Sequence, residues 1–509
     1  MLIKKLVLLS LSDKCRGIIP IIRSCSNVAL KERLTEIINF KDTNISNWIV
    51  EGKIKSLCYT YSLFSKSEKN DFLNFLATSY GVDHTLICKT AEKLSSTDPI
   101  NQNHLIARER SLRNLLTPPY HWLFIRMGRL ENGVKFLVDL RTDTLQLISE
   151  TRDSDQITIL QEFDSILRDL LLLWFSVGFL HLQRITWQSP CDILQKISEN
   201  EAIHPVRNWP DLKRRVGPYR RCFVFTHPSM PREPLVVLHT ALCDLIPGSV
   251  KEIELSEKRI LGKNEISHSF FQEDKNKIKA AIFYSIFSTQ RGLQGIELGN
   301  YLIKEVAKQV TNEFPMIDQL SSLSPIPNFR LWLLEKIKQD PANIFTTSEQ
   351  ETLKNILKSN DLFLDLKKIF NNSLWTNKQN LEVALKLPLM RACAWYLYKE
   401  KRRNYALNNV ANFHLRNGAV MWRLNWMADP SPRGTANSFG LMVNYRYETY
   451  STESICIQKI VLTLNNHCIN HRYFLEETES NSRNYIENKF IKASNSVINL
   501  AQDAEKLLL

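Results

Sequence analysis

Residues 279–310 read KAAIFYSIFSTQRGLQGIELGNYLIKEVAKQV. The first ten are almost continuously apolar and rich in β-branched and aromatic residues, the composition of a buried strand. From Gly295 onward the pattern changes. Leu298, Leu302, Val306 and Val310 recur at every fourth position and share one face of a helix. Gly292, Gly295 and Gly299 lie at the junction, where a missing side chain lets backbone approach a ligand closely. The first amides of a helix have no internal acceptor and sit at the positive end of its dipole, so such a junction can hold an anion. The pattern is neither G-x-G-x-x-G nor a P-loop ending in Gly-Lys-Ser/Thr. A glycine-containing strand-to-helix turn is more often only a turn. It does place an α/β unit in this half of the chain.

Working outward, residues from about 28 to 175 read as helical. Segments such as ALKERLTEIINF and TILQEFDSILRDLLLLWF space apolar residues at three and four, and Gly and Pro are sparse. The longest apolar run, Leu170–Leu182, is too short for a bilayer, which needs about 20 residues; it reads as a buried helix. After Trp187 the character is mixed. RRCFVFTH (220–227) and PLVVLHTAL (234–242) read as two strands of a hairpin around PSMPRE. Residues 330–403 read as helical, ANFHLRNGAVMWRLNWM (411–427) and SFGLMVNYRY (438–447) as strand-like, and the C-terminus as an amphipathic helix. The fold class is α+β: an all-helical N-terminal domain, then an α/β domain.

The chain has 509 residues and a net charge of +13. An anionic partner is expected. No zinc finger, basic coiled-coil region or aromatic-interleaved basic stripe supports nucleic acid; a phosphorylated cofactor suits the charge as well. Ten cysteines are present without a C-x-x-C pair, so zinc spacing is absent and reduced thiols are the default. No metal-binding constellation stands out. Residues 1–27 carry Lys4, Lys5, Lys14, Arg16 and Arg23 against Asp13 alone. They read as a mitochondrial transit segment, the alternative being an ordinary first helix.

Two further stretches could carry chemistry. In SSLSPIPNF (321–329), Pro325 and Pro327 fix their own φ and push Ser324 and Ile326 into extended conformations. That would aim the Ser324 hydroxyl, or simply break one helix before the next. In ANFHLRNGA (411–419), His414 lies in an apolar alternating run. A lone histidine there is usually a satisfied, partly buried residue, yet its imidazole can exchange a proton at neutral pH.

FYSIFSTQRGLQGIELGNYLIKEV, SSLSPIPNF, the run 389–429 from LMRACAW to RLNWMAD, FLEETESNSRNYIENKFIKAS and, upstream, SPCDILQKISENEAIHPVRNWPDLKRRVGPYRRC together resemble malonyl-CoA decarboxylase. The resemblance covers roughly 176 to the end closely and 28–175 more loosely. It implies a helical oligomerisation domain (28–175) before a catalytic domain (176–509) of the acetyltransferase (GNAT-like) type, whose strand–loop–helix holds the pyrophosphate of coenzyme A. It implies decarboxylation of malonyl-CoA to acetyl-CoA and CO2, which regulates the malonyl-CoA level and so fatty-acid synthesis and oxidation. Ser324 and His414 fall on the family's active-site serine and histidine. The malonyl-CoA loop falls on Gln294, Gly295, Ile296, Glu297, Leu298, Gly299 and Asn300. No metal, biotin or pyridoxal is implied. The family also implies a tetramer built from dimers, in which the cysteine of its SPC motif, here Cys191, can cross-link subunits; the N-terminal segment reads as a mitochondrial matrix address, a cytoplasmic one being the alternative. An acyl-CoA-dependent acyltransferase and a non-catalytic CoA-binding protein of the same fold are the competing readings. Two departures stand out. Residues 448–473 intervene where the family runs directly from NYRY into FLEET, and the chain ends Lys506-Leu507-Leu508-Leu509 rather than in the peroxisomal Ser-Lys-Leu.

Overall fold

A computed structural model describes residues 30–96, 102–261, 273–358, 361–371, 374–447 and 492–508. The transit segment 1–27 and the insertion 448–473 lie outside them. The chain divides into two units. The first comprises residues up to His181 with Phe225–Leu235 and Ser288–Glu297, and the second comprises the remainder.

The first unit is built of helices: residues 30–39, Asn47–Ser62, Lys66–Ser79, His84–Ser95, Gln102–Leu115, Pro119–Gly128, Gly133–Glu150 and Ser154–Trp174. Three of their starts carry side-chain caps. Ser65 and Glu68 form a capping box, and Asp83 and Asp153 each accept a first-turn amide. The core gathers Leu57, Phe72, Leu76, Leu137, Leu160 and their neighbours, with the rings of Tyr120, Phe124 and Phe163 packed at 4.9–5.5 Å between centroids. The helices His84–Ser95 and Gln102–Leu115 bury none of their described residues.

The run 170–182 is not the single buried helix expected. The helix stops at Trp174, a 3-10 turn covers Val177–Phe179, and a strand starts at His181. Ser176 takes an extended conformation that breaks the helix. Leu170, Leu171 and Phe175 are buried, while Leu172, Leu173, Val177 and Phe179 are exposed.

The second unit holds a mixed sheet. In chain order its strands are β1 His181–Ile185, β2 Arg220–Thr226, β3 Val236–Cys243, β4 Ala280–Ser288, β5 Gln319–Ser322, β6 Ser324–Pro325, β7 Val420–Asn425 and β8 Met442–Tyr447. The spatial order is β1-β2-β3-β4-β5-β8-β6, with β7 also paired to β8. β3 is buried along its whole length, His239 and Thr240 included. β4 and β5 run parallel, pairing Ala280 with Gln319 through Phe283 with Ser322. β5 and β6 form one line along antiparallel β8, interrupted at Leu323: Arg446 faces Ser321 and Val443 faces Ser324 in a single register. The expected helix after the glycine loop runs Leu298–Glu313. The helical stretch 330–403 resolves into Phe329–Gln339, Thr347–Leu357, Leu362–Asn371 and Gln379–Tyr398.

One reading needs correction. Only the second half of 411–427 is a strand; its first half lies in the helix Asn409–Arg416. The Asn408 side chain accepts the Ala411 amide at its start, and Gly418, at φ +82°, follows its end. His414 therefore projects from a helix rather than a pleated strand.

Candidate active site

Ser324 and His414 lie 90 residues apart in sequence, and the second unit brings them into contact. Ser324 Oγ is 2.8 Å from His414 Nε2. The two are 5% and 2% exposed, so the contact is sealed from bulk water. Ser322 and Ser324 stand two residues apart along the same line of strand and so share a face; their hydroxyls are 2.8 Å apart. Ser322 Oγ also accepts the Tyr445 amide at 3.3 Å. On the other side of the imidazole, Nδ1 is 2.6 Å from the Tyr447 hydroxyl. Tyr445 stacks on the ring at 4.4 Å and 17°. β8 thus supplies both aromatic walls from positions i and i+2.

The row Ser322–Ser324–His414–Tyr447 is a continuous hydrogen-bonded line of exchangeable protons. Burial lowers the His414 pKa to about 3, so its imidazole is neutral at physiological pH. Burial raises the Tyr447 hydroxyl, which stays a neutral phenol. With one imidazole nitrogen donating and the other accepting, the row has two proton polarities. In one, Tyr447 donates to Nδ1 and Nε2–H donates to Ser324; in the other, every donor is reversed.

The loop bearing Ser324 is tied to the helix bearing His414. The Pro327 carbonyl accepts from Asn408 Nδ2 at 3.0 Å and from the Tyr396 hydroxyl at 3.1 Å. Asn408 is the same residue that caps the His414 helix. Ser324 pairs with Val443 and Pro325 with Met442. The two prolines therefore sit in a segment held in place by strand pairing on one side and by this carbonyl on the other, and the segment is more than a linker.

The residues of the expected CoA loop divide between the units. Gln294, Gly295, Ile296 and Glu297 belong to the first, where Arg141 donates to the Gly292 and Gln294 carbonyls at 2.7 and 2.8 Å and pairs with Asp164 at 2.8 Å. Gly292 lies directly against the Val138 carbonyl, where a Cβ would collide. Gly295 has φ +81°, a conformation that favours glycine, with open space around it. Leu298, Gly299 and Asn300 belong to the second unit and form the first turn of the helix Leu298–Glu313. A Cβ on Gly299 would stand 3.3 Å from the Phe413 ring and 3.4 Å from Ile286. Asn417 donates to the Asn300 side chain at 2.9 Å. The first turn of that helix therefore packs on the segment that carries His414.

Cys191 is the first residue of the helix Cys191–Asn200, exposed and unbridged in the single chain. Among the described residues no cluster of His, Cys, Asp and Glu could hold a metal, and no helix is long and apolar enough to cross a membrane. Sequence reasoning missed Tyr447, Tyr396, Asn408 and Arg141. Of these only Asn408 carried a local signal, an asparagine just ahead of an apolar-periodic octet.

Two family models match the chain. The malonyl-CoA decarboxylase N-terminal domain matches residues 80–175, and the malonyl-CoA decarboxylase C-terminal domain matches residues 178–458. A goose (Anser anser anser) protein named malonyl-CoA decarboxylase, mitochondrial, is 43% identical over 88% of this chain and 82% of its own length. The mouse protein of that name is 44% identical over 88% and 85%. The crystal structure of malonyl-CoA decarboxylase from Agrobacterium vitis superposes with a TM-score of 0.70 at 26% identity, covering 93% of this chain and 99% of that one. The corresponding Rhodopseudomonas palustris structure gives 0.69 at 27% identity over 93% and 98%.

Proposed function

The chain belongs to the malonyl-CoA decarboxylase family, and from that premise we propose that it converts malonyl-CoA to acetyl-CoA and CO2, with Ser324 and His414 at the reacting centre. The observation that carries the assignment of these two residues is the buried 2.8 Å contact between Ser324 Oγ and His414 Nε2.

The bond between the α-carbon and the free carboxylate breaks, and CO2 leaves. Its electron pair moves onto the α-carbon and is delocalised into the thioester carbonyl as an enolate. The carbon then takes one proton. The substrate is its own electron sink, so the protein must orient the carboxylate across the carbonyl plane, stabilise the enolate oxygen and deliver the proton. Ser324 orients the malonyl group through its hydroxyl. His414 supplies the proton, with the Ser324 contact as a one-bond path. At rest burial keeps the imidazole neutral. A bound malonyl carboxylate brings negative charge beside it, which favours proton uptake together with substrate. Tyr447 fixes the ring orientation through Nδ1. Residues 294–300 hold the CoA pyrophosphate, a role that suits the glycine loop and the positive end of the helix Leu298–Glu313.

The same reading places the protein in the mitochondrial matrix, assembled as a tetramer of paired dimers with Cys191 able to cross-link two chains. The relatives' names support the mitochondrion, and the exposure of Cys191 suits a covalent link. Incubating purified protein with malonyl-CoA and no acceptor tests the activity. Acetyl-CoA and CO2 should appear one for one. Product that forms only when an amine or alcohol acceptor is added would favour the acyltransferase reading instead.

A further inference from the structure

A second cavity, of about 410 Å³, lies wholly within the second unit and shares no lining residue with Ser324, His414 or residues 294–300. One wall is the loop after the helix Cys191–Asn200, and the loop is locked from two sides. The buried Glu201 carboxylate accepts the amides of Ile203 and His204 at 2.8 and 3.0 Å and the Ser285 hydroxyl at 2.6 Å. Arg215 donates to the His204 carbonyl at 2.5 Å and pairs with Asp211 at 2.9 Å. His204 lies on that loop and lines the cavity.

The cavity is also cationic. Arg207, Arg214, Arg215, Arg220 and Arg433 line it, against Asp211, Glu254 and Asp429. Arg214 pairs with Asp211 and Glu254, and Arg220 pairs with Glu257 outside the lining. Arg207 and Arg433 are exposed and have no carboxylate partner among the described residues. Tyr284 gives the cavity an apolar wall, with the Arg220 guanidinium 5.7 Å from its ring centroid. The volume falls at the small end of ligand cavities, which run from about 300 to 1,000 Å³.

We propose that this cavity is a ligand site, taking a small organic dianion (a phosphate monoester or a dicarboxylate) with its charge on Arg207 and Arg433 and its carbon skeleton against Tyr284. Planar guanidinium forks recognise both anions in bidentate fashion.

The test follows thermal unfolding of the full chain, because a ligand that binds only the folded state raises its melting temperature. The probes are glycerol 3-phosphate and succinate, each at millimolar concentration, with sodium chloride and sodium sulfate at matched ionic strength. The expected result is a concentration-dependent rise with one of the two probes, which also decides between phosphate and carboxylate. The Arg207→Gln/Arg433→Gln double variant should melt as wild type without probe and show at least a tenfold weaker apparent affinity. The rise should persist under saturating desulfo-CoA. No rise beyond the sodium chloride control overturns the proposal. So does an equal rise with sulfate (an adventitious ion only), an undiminished rise in the double variant, or a rise that desulfo-CoA abolishes, which would make the cavity part of the substrate's own site.

Discussion

His414 is held by three kinds of contact: a serine hydroxyl at Nε2, a phenol at Nδ1 and a stacked tyrosine ring. His414→Asn should retain affinity for desulfo-CoA and lose about 10²–10⁴-fold in kcat, the usual contribution of a positioned proton donor; a rate within a few-fold of wild type would remove it from the mechanism. Tyr447→Phe leaves a buried ring nitrogen without its partner, worth about 1–3 kcal/mol. It should lower kcat by about 10- to 100-fold with little change in KM, and an effect on KM alone would contradict a positioning role. The pH profile follows from burial. The free imidazole titrates near 3, so it is already neutral across pH 5–8, and kcat/KM should show no step near the ordinary histidine value of about 6.5. Such a step would mean that His414 is solvated in the free protein. Ser324 and His414 were singled out through the family resemblance, since a proline-flanked serine and a lone histidine in an apolar run each also allowed a purely structural reading. Tyr447 was not: a tyrosine in a strand looks like any other wall residue until the fold brings it to an imidazole 33 residues away.

At the scale of elements, the site depends on how the Asn409–Arg416 helix is seated. Asn408 caps it and also grips the Pro327 carbonyl of the serine loop. Asn408→Ala should cost about 1 kcal/mol for the cap and more for the stranded carbonyl. It should also depress kcat without touching either reacting side chain. A variant that is destabilised but fully active per folded molecule would show that the tie does not position the pair. Gly299→Val would press on Phe413 of that helix and on Ile286 of β4. It should lower kcat and raise KM for malonyl-CoA together, whereas unchanged kinetics would detach the first turn of Leu298–Glu313 from the site. The strand–loop–helix at 279–310 was legible because both its periods are long and uninterrupted. The His414 helix was misread because eight residues are too few to separate a period of 3.6 from one of 2 when the neighbouring segment is a genuine strand. Its boundaries, Asn408 ahead and Asn417–Gly418 behind, were the better signal.

For the whole molecule, the order of a helical unit before a mixed-sheet unit was legible from the change of character after Trp187. The break inside 170–182 was not, since continuous apolarity hides a helix end. Burial of neutral histidines makes stability depend on pH. His239 titrates near 4 and His414 near 3 in the folded protein, both lowered chiefly by desolvation, while unfolded histidine titrates near 6.5. Between these values the unfolded chain binds more protons, so stability is full above about pH 6.5 and falls as pH drops below it, by up to about 1.4 kcal/mol per histidine per pH unit. Denaturant midpoints should therefore be lower at pH 5 than at pH 7, and equal midpoints would contradict the buried neutral state. Assembly is tested by sedimentation and by non-reducing gels after mild peroxide. An oligomer is expected in either redox state, with a cross-linked dimer that Cys191→Ser abolishes; a monomer in sedimentation, or a dimer band that survives the substitution, would count against that arrangement. The most direct measurement of the central claim supplies the purified chain with malonyl-CoA labelled with ¹³C in its free carboxylate and follows the label by NMR without any acceptor. The label should leave entirely as CO2 and bicarbonate while unlabelled acetyl-CoA accumulates in equal amount; label that stays in the thioester would contradict it.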